Sequence, residues 1–165
     1  MQKKFFLNQI GLGPHPRDYL RDGPELWTNW SIGVPGAPTA PVLLRDIHAS
    51  SGSNVTFWTS LGDKIIFTAT DGAQWGLFVS GGTVASTKDL EWFVTEPTFL
   101  TIHKGSVLFA GDNGQGSGRE VWSTRGTLAT TVLLVDINNG AGGSDPKYLT
   151  TFHDTIYLSA NDGVY

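Results

Sequence analysis

The sequence contains no cysteine, so disulfides, thiolate-bound metals and cysteine nucleophiles are excluded at once. It carries little charge: Asp, Glu, Lys and Arg make up 16% of 165 residues, with a formal net charge of −4. That leaves neither the basic footprint of a nucleic-acid binder nor a polybasic patch for anionic membrane. No window approaches the roughly 20 apolar residues of a membrane-spanning helix. No stretch shows a sustained helical period with caps. Met1 to Leu7 begins like a secretory signal, but its apolar run stops at Asn8, short of the roughly 7–15 residues a signal core needs. The chain as given is expected to be soluble, without nucleic-acid partner or membrane insertion.

What the sequence has in abundance is turn chemistry. Its 21 Gly and 8 Pro mark many tight turns between short strands, and 39% hydrophobic with 12% aromatic residues is enough for a core. Three landmarks recur. The first is a Glu-Leu-Trp strand, with Trp27, Phe78 and Trp122 at its aromatic position. The second is an apolar run ending in an acid and an aliphatic: Val42 to Ile47, the shortened Thr87 to Leu90, and Val132 to Ile137. The third is a hairpin whose aromatic start and apolar finish lie ten positions apart each time: Phe57 and Phe67, Phe99 and Phe109, Tyr148 and Leu158. Thr59, Thr101 and Thr150 share one place in the first hairpin strand. The second hairpin strands are nearly continuous apolar runs, as expected of strands buried on both faces.

Each module closes on a turn, and Asp22, Asp71, Asn113 and Asp162 fall 49, 42 and 49 residues apart. A period of about 40–50 residues with four strands each is the pattern of propeller blades. The expected fold is all-β: an arc of about three four-stranded antiparallel blades and, because closed rings use roughly 4–8 blades, a fragment of a larger propeller. The expected divisions are an irregular segment at 1–23, with a strand at Lys3 to Leu7, and blades at 24–72, 73–114 and 115–163. Residues 164–165 would begin a further repeat, whose Trp is expected about six residues past Tyr165.

Candidate chemistry is sparse. Asp46, Asp89 and Asp136 recur once per module and are expected to accept hydrogen bonds from turn amides rather than ring a cation site. The run Gly111 to Gly118 lacks the spaced acids of a calcium loop and reads as a loop between blades. His15, His48, His103 and His153 show no metal-ligand spacing, and Ser123 and Thr127 sit in no nucleophile elbow. No catalytic residue, metal or cofactor is expected. Trp27 and Trp122 belong to the repeat core. Trp30, Trp75 and Trp92 lie outside that register, and they are the candidate binding residues, able to stack on sugar rings or anchor a protein partner.

These landmarks resemble the ELWxxDGT-repeat family of bacterial proteins, whose consensus is Glu-Leu-Trp, two residues, then Asp-Gly-Thr. In the third copy Glu120, Trp122, Gly126, Thr127, Asp136, Ile137, Pro146, Leu149, Thr150, Asn161, Asp162 and Gly163 match it. Arg125 and Gly81 stand where the family has Asp, Gly76 and Phe78 replace Glu and Trp, and the first copy loses the Asp-Gly-Thr segment. The resemblance implies secreted or cell-surface repeat proteins, propeller-like, with no defined catalytic residues and usually more repeats than three. The function expected is a non-enzymatic extracellular binding or adhesion scaffold with a carbohydrate or protein ligand. The alternative is part of a propeller enzyme acting on polysaccharide, with catalytic residues partly outside this chain. Three modules with two open apolar faces are also expected to self-associate.

Overall fold

A computed structural model describes residues 25–28 and 42–164. The segment 1–23, its strand at Lys3 to Leu7, His15, Trp30 and Tyr165 lie outside the described residues. So does the side chain of Trp27.

The described chain is all-β and antiparallel, built as four successive sheets. The first pairs β1 (Leu26–Thr28) with β2 (Val42–Arg45). The second is a four-stranded meander of β3 (Thr56–Leu61), β4 (Lys64–Thr70), β5 (Trp75–Ser80) and β6 (Lys88–Phe93). The third repeats it with β7 (Thr98–His103), β8 (Ser106–Gly111), β9 (Glu120–Thr124) and β10 (Val132–Val135). The fourth is the hairpin β11 (Lys147–Phe152) and β12 (Thr155–Ser159).

The sheets are cut half a module away from the boundaries at 72/73 and 114/115. Each four-stranded sheet joins the hairpin of one module to the Glu-Leu-Trp and Asp-Ile strands of the next. The closing turn is the cause. Asp71 Oδ1 accepts from the amides of Ala73 and Gln74 at 2.9 and 2.8 Å, and Thr70 Oγ1 donates to the Gln74 carbonyl at 2.6 Å. A turn that tight folds β5 directly back onto β4, with Phe67 opposite Phe78 and Thr70 opposite Trp75. Gly114 is reached the same way, so the run 111–118 is a turn within the third sheet and not a loop between sheets.

The core lies between sheets, in three layers. Ile66, Leu77, Leu90 and Phe93 of the second sheet meet Val107, Phe109 and Trp122 of the third. Phe67, Ala69 and Phe78 on the other face of the second sheet meet Leu26 and Leu44 of the first. Leu108 and Val121 of the third meet Leu149 of the fourth, with Ile156 and Leu158 alongside. Neighbouring residues such as Ile66 and Phe67 therefore serve opposite faces, which is why these strands read as unbroken apolar runs. Phe67, Phe78 and Phe109 are fully buried. Leu158 at the same register is only half-buried, because its sheet has two strands rather than four.

Pairing also fixes the repeat register. A bulge falls at Leu44, Leu90 and Leu134, the residues skipped when β2, β6 and β10 pair with β1, β5 and β9. Asp89 consequently stands opposite Phe78, as Leu43 stands opposite Trp27 and Leu133 opposite Trp122. It is not the equivalent of Asp46 and Asp136. That place in the middle copy belongs to Trp92, and Phe93 takes the place of Ile47 and Ile137.

The recurring acid that holds turn amides is the glutamate of Glu-Leu-Trp. Glu120 is fully buried and accepts from the amides of Ile137 (3.1 Å), Asn138 (3.2 Å) and Ser144 (2.6 Å) and from Ser144 Oγ (2.5 Å). Glu25 does the same for Ser53, whose amide and hydroxyl donate at 2.7 and 2.5 Å. Each glutamate fixes the linker that leaves one sheet for the next. Asp46 is exposed, Asp89 pairs with Arg45 at 3.1 Å, and Asp136 has a buried Oδ1 with no partner.

Candidate functional site

The first strands of successive sheets, β3, β7 and β11, lie next to one another. Each opens with a bulge at the aromatic start of its hairpin. Pairing steps from Thr56 to Trp58, from Thr98 to Thr101 and from Lys147 to Thr150, leaving Phe57, Phe99 and Tyr148 out of the ladder. Phe99 and Tyr148 adopt φ of 60° and 58°, a left-handed conformation that costs a residue with a side chain about 1–2 kcal/mol. The shared threonine holds them there. Thr101 Oγ1 donates to the Phe99 carbonyl at 2.9 Å, and Thr150 Oγ1 donates to the Tyr148 carbonyl at 2.9 Å. Phe57 lies outside the left-handed region.

Threonine hydroxyls also tie the strands together. Thr101 Oγ1 lies 2.8 Å from the Leu149 carbonyl as well, so its one proton is shared between the two carbonyls, and Thr151 Oγ1 donates to the Ile102 carbonyl at 2.7 Å. The rings of Phe99 and Tyr148 consequently stand 5.8 Å apart at a 57° tilt. Phe99 is half-buried, Phe57 is exposed, and Tyr148 is 71% exposed. Bulges of this kind re-aim a side chain out of the ladder. Here they take three aromatic rings out of the ladder along neighbouring strands, with Phe57 and Tyr148 exposed and Phe99 partly packed against the core between the third and fourth sheets.

Polar groups flank the tyrosine. Lys147 Nζ lies 2.6 Å from Asp145 Oδ2, and that hydrogen bond raises the lysine pKa. Arg119 Nε lies 3.7 Å from Asp145 Oδ1. Burial pulls the Arg119 pKa down, opposed by the nearby charges of Asp145, Asp112 and Glu96. Arg119 also donates to Thr95 Oγ1, the Glu96 carbonyl and Thr98 Oγ1, at 2.9, 3.0 and 2.6 Å. The arrangement offers flat apolar faces beside fixed charges and hydroxyls, which suits stacking on a ring-shaped polar ligand.

The tryptophans singled out from the sequence are placed otherwise. Trp92 is half-buried, its ring edge-on to Phe78 with centroids 5.5 Å apart, in the layer between the first and second sheets. Trp75 is half-buried at the start of β5, opposite Thr70 and Phe93. The structure brings neither to the bulge aromatics. Trp58, which the register argument passed over, is the most exposed tryptophan among the described residues, at 70%. The signal for Phe57, Phe99 and Tyr148 was present in the Aromatic-Leu/Trp-Thr order, but it reads as a core strand until the bulge is known.

Among the described residues no three His, Asp or Glu side chains are placed to hold a metal ion. The side chains of Asp112 and Asn113 accept from the amides of Gly114 and Gln115 within their own turn. His48 Nδ1 accepts from the amides of Ser50 and Ser51, and His153 lies against the ring of Phe152. Ser123 lies on β9 and Thr127 precedes the 3-10 turn Leu128–Thr130, where its hydroxyl bonds Thr130. No helix among the described residues is long and apolar enough to cross a membrane. Comparisons with protein families, curated proteins and solved structures found no match.

Proposed function

We propose that the chain is an arc of a β-propeller serving as a non-enzymatic, extracellular binding scaffold, and that its ligand is a polysaccharide stacked on Phe57, Phe99 and Tyr148. The carrying observation is the pair of left-handed bulges that take Phe99 and Tyr148 out of the ladder at a backbone cost and leave the Tyr148 ring exposed beside the half-buried Phe99. Such cost at a recurring, exposed aromatic points to use rather than packing. The propeller reading draws support from the adjacency of β3, β7 and β11, since the first strands of propeller blades gather around one axis. The extracellular setting draws support from the likeness of the repeat to the secreted ELWxxDGT-repeat proteins.

Titration of soluble cell-wall and plant oligosaccharides against the chain tests the ligand. Tyr148→Ala is expected to weaken binding roughly two- to tenfold, in line with an aromatic contact of about 0.5–1.5 kcal/mol. Tyr148→Phe should keep most of it. Binding unchanged by Tyr148→Ala but lost in the Trp30, Trp75 and Trp92 triple alanine variant would move the site away from the bulges.

A further inference from the structure

The second and third sheets, both four-stranded, close on each other through the core and part beyond it. The last close contact is at Gly126 of the third sheet, where a Cβ would meet Leu61, Ile66 and Val79 of the second at 3.6–3.7 Å. Past it lies a groove of about 770 Å³, with Thr127 and Leu128 on one side and Lys64, Val79, Lys88 and Leu90 on the other. Lys64 follows the turn at the end of β3, whereas the bulge at Phe57 is at its start, so the groove and the bulge aromatics lie at opposite ends of that hairpin.

Strand register puts both lysines on one face. Ile66 stands opposite Val79 and Val79 opposite Lys88, and Lys64 precedes Ile66 by two residues, so all four share the face that meets the third sheet. The lysines extend that face past the core from the two strands flanking β5, their backbones roughly 10–12 Å apart by strand spacing and rise. Both are exposed, and neither ammonium has an ionic partner among the described residues. Asp89, the acid lining the groove, is held by Arg45 at 3.1 Å. The groove is thus a positive place on a chain of net charge −4. The repeat does not require these lysines: Val42 and Val132 hold the register of Lys88, and Ser106 that of Lys64. Lysine on the edge strand β6 could serve to discourage stray pairing, but Lys64 lies on the inner strand β4, where no edge needs guarding.

The turns beside the groove have already used their amides. Those of Gly81 and Thr83 donate to Ser86 Oγ, that of Gly82 to Ser80 Oγ and that of Gly126 to Thr124 Oγ1, all at 3.0–3.1 Å. An extended peptide, which is recognised largely through main-chain hydrogen bonds, would find none offered by these turns. What they leave for a ligand is two ammonium groups, the hydroxyls of Thr83 and Thr127, and the 67% exposed side chain of Leu128. We propose that the groove is a second ligand site and takes a carboxylate-bearing polysaccharide, a run of uronic acid units whose acid groups reach Lys64 and Lys88 while a sugar ring lies over Leu128. The class of the chain rests on the polysaccharide reading above, whereas the groove and its charge do not.

Calorimetric titration with an oligogalacturonide, and with the same oligosaccharide fully methyl-esterified, tests the site. The free acid is expected to bind, more weakly as salt is added, and the uncharged ester is not. Amide NMR shifts should move at residues 81–89 and 126–128. The double variant Lys64→Gln, Lys88→Gln should keep the thermal midpoint of the unaltered chain and bind the acid roughly two- to thirtyfold more weakly, the range for two exposed ion contacts. Tyr148→Ala separates the two sites, since the shifts at 81–89 should persist in it. Binding lost in Tyr148→Ala but unchanged in the lysine variant would uphold the bulge aromatics and overturn the groove. So would no binding of the acid, equal binding of the ester, or shifts confined to other residues. Equal binding of polyglutamate would overturn the assignment to a polysaccharide.

Discussion

Replacing Glu120 by alanine tests the account of how one sheet is tied to the next. The carboxylate accepts four hydrogen bonds while fully buried, from Ile137, Asn138 and both donors of Ser144. The Ser144 amide also reaches the Arg119 carbonyl at 3.0 Å, so it keeps a partner when the carboxylate is removed. The Ser144 hydroxyl and the amides of Ile137 and Asn138 do not, and each such buried donor costs about 1–3 kcal/mol. Water can reach the half-buried loop amides, which places the loss near 3–4 kcal/mol, a large share of the roughly 5–15 kcal/mol of a whole domain. Leucine at this position should not recover it, because the stranded donors, two backbone amides and the Ser144 hydroxyl, remain. Glutamine keeps one acceptor but presents an NH2 to donors, so a loss of about 2 kcal/mol is expected. Urea denaturation followed by tryptophan fluorescence gives the values, and hydrogen exchange at residues 137–144 reports the loop itself. A loss below about 1 kcal/mol for Glu120→Ala would refute the anchoring argument.

Trp122 packs edge-on to Phe93 at 5.2 Å and stacks with Phe109 at 6.5 Å, so Trp122→Ala should cost about 3–5 kcal/mol in the same assay, and a surface-like loss under 1 kcal/mol would contradict the layer assignment. The Asp71 carboxyl is held below its ordinary pKa, chiefly by the amides of Gln74 and Ala73. Its contribution to stability is therefore complete above the unfolded pKa and lost as pH falls through the lower folded value. A carboxyl NMR titration should show that depressed midpoint in the folded chain, and a midpoint at or above the ordinary aspartate range would remove the proposed turn lock.

What could be read from the sequence was whatever repeats for a local reason. The closing turns are legible because Asp and Asn with Gly satisfy their own amides, and the hairpins because two-residue turns sit between apolar runs. The all-β class follows from those alone. Sheet phase was not legible, since a repeat has no marked beginning and the tight Asp71 turn is as good a divider as a connector. Bulges hid the rest. They moved Asp89 out of register with Asp46 and Asp136, and took Phe99 and Tyr148 out of the ladder, leaving Phe99 half-buried and Tyr148 exposed. Glu120 was visible as part of a motif, but its role depends on a loop up to 24 residues away in sequence.

The middle copy then reads as a different solution to the same joint and not as decay. Between β6 and β7 the linker is only Val94 to Pro97, so there is no long loop whose amides need an anchor. Gly76 stands where the glutamate would be, and a Cβ there would lie 2.4 Å from the Phe78 ring and 3.2 Å from Trp92. The two rings occupy the corner that the carboxylate holds elsewhere. Polar ties come instead from the following sheet, where Arg119 donates to Thr95 and Glu96 of the short linker and to Thr98 at the start of β7. The direction of the hydrogen bonds is reversed: a carboxylate accepting from loop amides gives way to a guanidinium donating to a loop carbonyl and hydroxyls. Five apparent departures from the repeat, namely Gly76, Phe78, Trp92, the shortened linker and the use of Arg119, are thus one change. Restoring Glu at position 76 alone would drive a carboxylate into the Phe78 and Trp92 rings, which already fill that corner.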